Sequence, residues 1–118
     1  MNPKARTAVL VLAILSVTVP LIAMTQHDGW MFRETNGDVS CQAWFEAAST
    51  PRAVTARLYS PSGTQIAYSH NAATQYKNFM AYASAAPVGS GTYTCVADFE
   101  ELGFPDEYDT QNYSLHVD

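Results

Sequence analysis

The feature that most constrains the fold of this chain is a single pair of cysteines. The 118 residues include only Cys41 and Cys95, which are 54 positions apart. An isolated pair at such a separation is typical of a structural disulfide in a protein that matures in an oxidising compartment. By chain-entropy reasoning, closing a loop of this length stabilises a fold by about 4 kcal/mol, a large part of the net stability of a small domain. The sequence therefore predicts a fold organised around one bridge between distant segments.

The first 24 residues have the composition of an export signal. Lys4 and Arg6 precede an apolar run over residues 8–24. A run of this length fits the apolar region of a signal peptide better than a membrane span, which needs about twenty residues. We therefore divide the chain into a signal peptide, residues 1–24, and one domain, residues 25–118. The alternative is a retained membrane anchor, and both interpretations place the domain outside the cytoplasm, either secreted, periplasmic or extracellular.

The charge of the predicted domain excludes two classes of partner. Without the signal, four basic residues remain against eleven carboxylates, which gives a net charge of −7. Such a surface repels the phosphates of nucleic acids and of anionic lipids. We therefore expect no nucleic-acid partner, and contact with a membrane only if the N-terminal segment is retained.

Short alternating segments between turn signals predict an all-β domain. Apolar and polar residues alternate over segments that recur about every eight to twelve residues, and no sustained helical repeat follows the signal. Asn36-Gly37 and Pro61-Ser62-Gly63 are turn signals. We predict about seven strands, at residues 30–33, 38–45, 53–59, 64–69, 76–84, 92–99 and 113–117, with a loop at 70–75. Segment 76–84 also suits a short helix because it is rich in alanine.

Two short segments resemble the immunoglobulin superfamily. They are residues 91–95, Gly-Thr-Tyr-Thr-Cys, and residues 39–41, Val-Ser-Cys. In that family a cysteine of the second strand bridges to one of the sixth, and a tyrosine two residues before the latter closes a corner through its hydroxyl. The resemblance implies an Ig-like antiparallel β-sandwich with one inter-sheet disulfide, Cys41–Cys95, and with Tyr93 as the corner tyrosine.

The resemblance is incomplete at the third strand. The family usually packs a tryptophan of that strand on the disulfide, whereas this sequence has Val54, Ala56 and Leu58 there. The hairpin at 58–63 is similar to those of bacterial extracellular Ig-like modules. The sequence therefore indicates a looser Ig-like module rather than an antibody-like domain.

The segment between the last two predicted strands, residues 98–109, is strongly acidic. In an Ig-like domain it would be an end loop, the position that variable domains use for recognition. We consider a solvated loop, a contact surface for a basic partner, and a Ca²⁺ site, although no Asp-x-Asp-x-Asp-Gly motif is present. The candidate residues of this loop are Asp98, Glu100, Glu101, Phe104, Asp106, Glu107, Tyr108 and Asp109.

Five aromatic residues are candidates for a carbohydrate-binding platform, with Trp44 and Tyr59 as the main pair: Trp30, Phe32, Trp44, Tyr59 and Tyr68. Strand alternation places Trp44 and Tyr59 on the outward sides of their strands. Exposed aromatic side chains on a sheet often serve an interface with a protein or a glycan, and packing under a loop is the alternative. The three histidines, by contrast, have no metal-ligand spacing.

These patterns favour a binding or structural module without a cofactor over an enzyme. We expect it to recognise a protein or a glycan through its end loops or an outward sheet face. One alternative is an anchored accessory subunit of a cell-envelope assembly. Another is a small exported hydrolase or enzyme inhibitor, for which the pairs Glu100/Glu101 and Asp106/Glu107 are the only acid–base candidates.

Overall fold

The chain forms two packed antiparallel sheets. The computed structural model describes residues 24–103 and 105–118. The sheets have the orders β1-β2-β5 and β4-β3-β6-β7. The strands are β1 (His27–Arg33), β2 (Val39–Phe45), β3 (Arg52–Tyr59), β4 (Gln65–Ala73), β5 (Phe79–Ala85), β6 (Gly91–Glu101) and β7 (Glu107–Val117). The prediction of a seven-stranded antiparallel sandwich is confirmed.

The described residues contain strands and turns but no helix. Segment 76–84, which also suited a helix, contributes strand β5. Across the described ranges there is accordingly no helix with the length and apolarity needed to cross a membrane. The predicted signal peptide lies outside the described residues except for Met24, and so does Phe104 of the acidic segment.

The core lies between the two sheets and is built by strand alternation. Every second residue of β2, β3, β5 and β6 is buried, whereas the residues between them are partly or fully exposed in most cases. The largest fully buried apolar side chains are Tyr93, Phe45, Phe99 and Leu58. The alternation that the sequence shows is therefore the direct cause of the layer structure.

The predicted disulfide joins the sheets through the middle of the core. Cys41 of β2 and Cys95 of β6 are fully buried, and their Cα atoms are 5.3 Å apart. Stacked sheets normally lie about 10 Å apart, so this bridge needs a local close approach. Small neighbours permit it, because Ala83 is the register partner of Cys41 and Ala43 follows two residues later on the same face.

Several strands are longer than the sequence indicated, and β1 already begins three residues before its predicted start. β4 continues through residues 70–73, so the prediction of a loop over 70–75 is wrong for those four residues. β6 continues to Glu101 and β7 begins at Glu107, six residues before its predicted start. These extensions consist largely of polar residues that pair through backbone hydrogen bonds, so apolar alternation gave no signal for them.

Candidate binding surface

The acidic segment is mostly strand and not loop. β6 and β7 pair without interruption up to Glu101 and Glu107, which are register partners. Six of the predicted loop residues, Asp98, Glu100, Glu101, Glu107, Tyr108 and Asp109, therefore belong to strands. In the connection between these two strands, Gly103 N donates to Asp106 Oδ1 at 2.9 Å. The expectation of a long acidic recognition loop is corrected accordingly.

Glu101 anchors the segment that leads into β1. Its carboxylate accepts hydrogen bonds from Thr25 N at 2.6 Å, Thr25 Oγ1 at 2.5 Å and Thr50 Oγ1 at 2.5 Å. Burial raises the pKa of Glu101, but these hydrogen bonds and the nearby charge of Arg52 outweigh burial and leave the pKa below its ordinary value. A carboxylate held ionised in this way is poorly suited to act as a general acid.

Asp98 and Asp109 are also engaged in contacts within the sandwich. Asp98 forms an ion pair with Arg57 and accepts a hydrogen bond from Thr110 Oγ1 at 2.7 Å. Asp109 Oδ2 lies 2.7 Å from His27 Nε2, and this hydrogen bond lowers the pKa of Asp109, with a second contribution from Gln111. His27, which precedes the first predicted strand, therefore connects β1 to β7.

The described residues do not assemble a metal centre. In residues 24–103 and 105–118, no three His, Cys, Asp or Glu side chains are grouped so that they could hold an ion. A shallow cavity of about 190 Å³ lies over Asp98, Glu100 and Tyr108, and Thr55 Oγ1 and His70 Nδ1 are 2.9 Å apart beside it. This hydrogen bond links β3 to β4. A catalytic triad also needs a third group that orients the histidine ring, and the described residues provide none for His70.

Trp44 and Tyr59 do not form a common surface. Trp44 belongs to β2 of the three-stranded sheet, and Tyr59 belongs to β3 of the four-stranded sheet. Strand alternation gives each its outward direction, but the two directions are opposite because the sheets pack back to back. The predicted pair is therefore divided between two faces of the molecule.

Trp44 instead joins an apolar surface on its own sheet. Strand pairing aligns Trp30, Gln42 and Tyr82 across β1, β2 and β5, and it aligns Trp44 with Met80 in the next outward row. Trp30 is 56% exposed, Met80 46% and Tyr82 39%. We call this surface the aromatic face and define it as Trp30, Phe32, Trp44, Met80 and Tyr82. It contains both tryptophans of the protein.

Ring packing and a carboxylate hold the aromatic face in place. The ring of Phe32 is 6.3 Å from that of Trp30, edge to face, and 6.3 Å from that of Tyr82. Glu34 accepts hydrogen bonds from Tyr82 Oη and, at 2.8 Å, from Ser84 Oγ. The hydrogen bond from Tyr82, followed by that from Ser84, lowers the pKa of Glu34. The face is thus ordered before any partner binds, which reduces the entropic cost of binding.

A groove continues the aromatic face at the end of β2. It has a volume of about 340 Å³ and is lined by Trp44, Glu46, Asn78 and Met80, with Phe45 and Phe79 below. Asn78 Oδ1 accepts a hydrogen bond from Ala47 N at 2.7 Å, which ties together the two segments that border the groove. The groove therefore combines apolar walls with one exposed carboxylate.

Arg52 supports this groove from inside the sandwich. Its side chain is almost fully buried, and the guanidinium lies 5.0 Å from the centre of the Phe79 ring. It donates only to backbone carbonyl oxygens, and these lie in the segments that border the groove and in the segment before β3. The acceptors are the carbonyl oxygens of Glu46, Ala48, Thr50, Gln75 and Lys77. Sequence analysis missed this role, because a lone arginine among turn residues gives no sign of its distant partners.

Two members of the aromatic face, Met80 and Tyr82, were not predicted to belong to a binding surface. Trp30 and Phe32 alternate along β1, and Tyr82 lies in the segment that also suited a helix. Alternation alone could have put Trp30 and Phe32 on one side of a strand, but only strand pairing reveals that Trp44, Met80 and Tyr82 share that side.

No protein-family model matches the chain, and no curated protein matches it significantly.

Proposed function

We propose that this protein is an exported, non-enzymatic, Ig-like binding module that recognises another protein through the aromatic face. The observation that carries the proposal is a contiguous outward surface of three aromatic rings, a second tryptophan and a methionine on a single sheet. Exposed apolar side chains that are scattered singly are ordinary, whereas a contiguous group on a monomer is a mark of an interaction site.

Export and the Ig-like assignment are supported by the disulfide and by Tyr93. The bridge joins the second and sixth strands, as in the immunoglobulin superfamily. Tyr93 Oη donates to Gly89 O at 2.6 Å and accepts from Val88 N at 2.8 Å, which is the hydrogen bonding expected of a tyrosine corner. A buried disulfide fits a domain that matures outside the cytoplasm.

A protein fits the composition of the aromatic face. Tryptophan, tyrosine, phenylalanine and methionine are the residues that protein interfaces favour, and tryptophan and tyrosine dominate binding hot spots. Asp28, Glu34 and Glu46 border the face. We therefore infer a partner that presents apolar side chains bordered by lysine or arginine, because a basic border complements these carboxylates and cations bind well over tryptophan rings.

The groove beside Trp44 suits one long basic side chain. Its walls, Trp44 and Met80, would contact the aliphatic stem, and Glu46 would pair with the charged end. Buried anchors of this kind contribute most of the binding energy in protein interfaces. A glycan is the second candidate, since Gln42 places an amide between Trp30 and Tyr82 in the same row.

Variants of one exposed aromatic residue on each sheet test the proposal. Trp30 and Tyr68 are 56% and 54% exposed, but Tyr68 lies on the four-stranded sheet. We expect Trp30→Ala to weaken capture of the partner from cell-envelope and extracellular fractions by about 30-fold, the size of a hot-spot loss, and Tyr68→Ala to change it less than twofold. Equal losses in both variants, or in neither, would contradict the proposal.

Tryptophan fluorescence then distinguishes a protein from a glycan. Because Trp30 and Trp44 are the protein's only tryptophans, tryptophan emission excited separately from that of the seven tyrosines reports this face alone. A basic protein partner should change the emission with an affinity that falls as salt rises, since screening weakens attraction between opposite charges. A change produced by neutral oligosaccharides and insensitive to salt would assign the face to carbohydrate instead.

A further inference from the structure

The sandwich has four edge strands, and they are not equally protected. The edges are β1 and β5 in one sheet and β4 and β7 in the other. An edge strand directs about half of its backbone N–H and C=O groups away from its sheet, where they can pair with another strand. Proteins usually block such edges with side chains, charges, prolines or bulges. The way each edge is blocked therefore indicates which one is available.

Side chains occupy the backbone of three edges. At β1, Gly29 N donates to Tyr113 Oη at 3.1 Å and to Asp28 Oδ1 at 2.8 Å. At β5, Asn71 Nδ2 donates to Met80 O at 3.0 Å, and at β4 Asn71 Oδ1 accepts from Ala72 N at 2.9 Å. A Cβ at Gly29 would come within 3.0 Å of the Tyr113 ring, so glycine is needed for this close contact.

Strand β7 is protected only near its first residues, where Glu107 and Asp109 carry charges and Asp109 accepts a hydrogen bond from the backbone of Thr110. It is 11 residues long and contains no proline, glycine, lysine or arginine. It pairs with β6 from Glu107 to Val117 without a register shift, so no bulge twists the edge away. Within the two described ranges, no side chain of another element bonds to its backbone. β7 is therefore the edge at which the sheet can be extended.

We propose that β7 pairs in the antiparallel direction with β7 of a second copy, about a two-fold axis at Asn112. The pairing would join the two four-stranded sheets into one continuous sheet of eight strands. Identical strands in antiparallel register are self-complementary, so the contact closes as a dimer and does not propagate. This inference concerns a different surface from the aromatic face and does not depend on it.

The charge distribution favours a second copy over other contacts between these molecules. The domain has a net charge of −7, yet residues 110–117 contain no carboxylate. About an axis at Asn112, Thr110 lies opposite Ser114 of the second copy, and Asp109 lies opposite Leu115 of the second copy. A parallel arrangement would instead bring Glu107 and Asp109 against their own counterparts, which costs energy. The antiparallel arrangement thus keeps like charges apart.

Such a dimer would present two binding surfaces in one direction. A two-fold axis between antiparallel strands of one sheet is perpendicular to that sheet, so both three-stranded sheets lie on the same side of the eight-stranded sheet. Both aromatic faces then point away from it in the same direction. Two weak contacts made together by such a dimer would bind an array of partners more tightly than one contact alone.

A pair of opposite charges at the axis tests the proposal. Asn112 is exposed, so Asn112→Lys and Asn112→Asp leave the core unchanged but place like charges together across the axis. We expect sedimentation of the disulfide-bonded protein to show a concentration-dependent dimer. Each variant alone should dimerise at least about tenfold more weakly, and an equimolar mixture of the two should recover the wild-type affinity because Lys then meets Asp.

Controls separate edge pairing from general effects of charge. Gln65→Lys makes the same type of change on the exposed side of β4 and should leave the dimer intact. Raising the salt concentration should strengthen the wild-type dimer, because it screens repulsion between two acidic domains. A wild-type protein that remains monomeric up to about 1 mM overturns the proposal. Equal affinities for Asn112→Lys, Gln65→Lys and wild type overturn it as well.

Discussion

The two outward faces of the sandwich differ in how their side chains are used. On the four-stranded sheet, polar groups satisfy one another, since Arg57 pairs with Asp98, Thr110 donates to Asp98, and Thr55 contacts His70. On the three-stranded sheet, Trp30 and Met80 are about half exposed and contact no element that covers them in the part of the chain that the structure describes. Both faces are open to solvent, and the four-stranded sheet also exposes Tyr68 and Tyr108, but only the three-stranded sheet groups its exposed apolar side chains in adjacent rows. The comparison indicates that the polar face supports the fold and that the aromatic face serves a partner.

The comparison can be tested first with two arginines of the same strand. Arg52 is buried and bonded to carbonyl oxygens that border the groove, whereas Arg57 forms an ion pair on the polar face that is about one-third exposed. We expect Arg52→Met to lower the free energy of unfolding by about 3 kcal/mol or more, because it removes a buried guanidinium that donates to five backbone carbonyl oxygens. Arg57→Met should cost less than about 1 kcal/mol.

Urea denaturation of both variants measures this difference. Arg52→Met should also weaken partner binding, because the segments on both sides of the groove lose the side chain that joins them. Comparable losses of stability in the two variants would mean that the groove does not depend on a buried support. The distinction between a supporting face and a supported binding face would then fail.

The dependence of stability on pH provides a second test. It concerns the end of the sandwich where β6 contacts the segment that leads into β1. The pKa values of Glu101 and Asp109 are lower in the folded protein than their ordinary values of 4.5 and 3.8. A carboxylate of this kind contributes stability above its unfolded pKa, and the contribution is lost as pH falls through the folded value. We therefore expect stability to be constant near neutral pH and to decline below about pH 4.5.

Glu101→Gln isolates the contribution of that carboxylate. It should cost about 1.5 to 3 kcal/mol at pH 7, the size of a hydrogen bond to a charged group, and less at pH 3, where the wild-type carboxyl is increasingly protonated. Thermal unfolding across this range measures both quantities. Glu100→Gln, at the neighbouring position of β6, is the matched control because its carboxylate accepts none of the hydrogen bonds that Thr25 and Thr50 donate to Glu101. A larger acid dependence in the Glu101→Gln variant than in wild type would contradict the role assigned to Glu101.

Local sequence patterns predicted the frame but not the binding surface. The bridge between Cys41 and Cys95 could be anticipated because the chain has only two cysteines, and the corner contacts of Tyr93 because residues 91–95 resemble the immunoglobulin superfamily. The grouping of Trp44 with Tyr59 was wrong, because alternation gives the direction of a side chain within its strand but not the sheet to which that strand belongs. The extension of β7 was missed because its first residues are polar and pair through the backbone.

The smallest expected effect gives the sharpest test of the comparison. Trp30→Ser removes a large aromatic side chain from the aromatic face, yet we expect the free energy of unfolding to change by about 0.5 kcal/mol or less, as for surface substitutions that break no core contact. Phe45 belongs to the same sheet, but its side chain is fully buried. Phe45→Ala should therefore lower the free energy of unfolding by about 3 to 5 kcal/mol. A large loss of stability in Trp30→Ser would instead make the aromatic residues part of the structural core, in which case their exposure would not indicate an interface. Binding lost at constant stability is the combination that only a recognition surface produces, because a residue retained for folding alone cannot separate the two measurements.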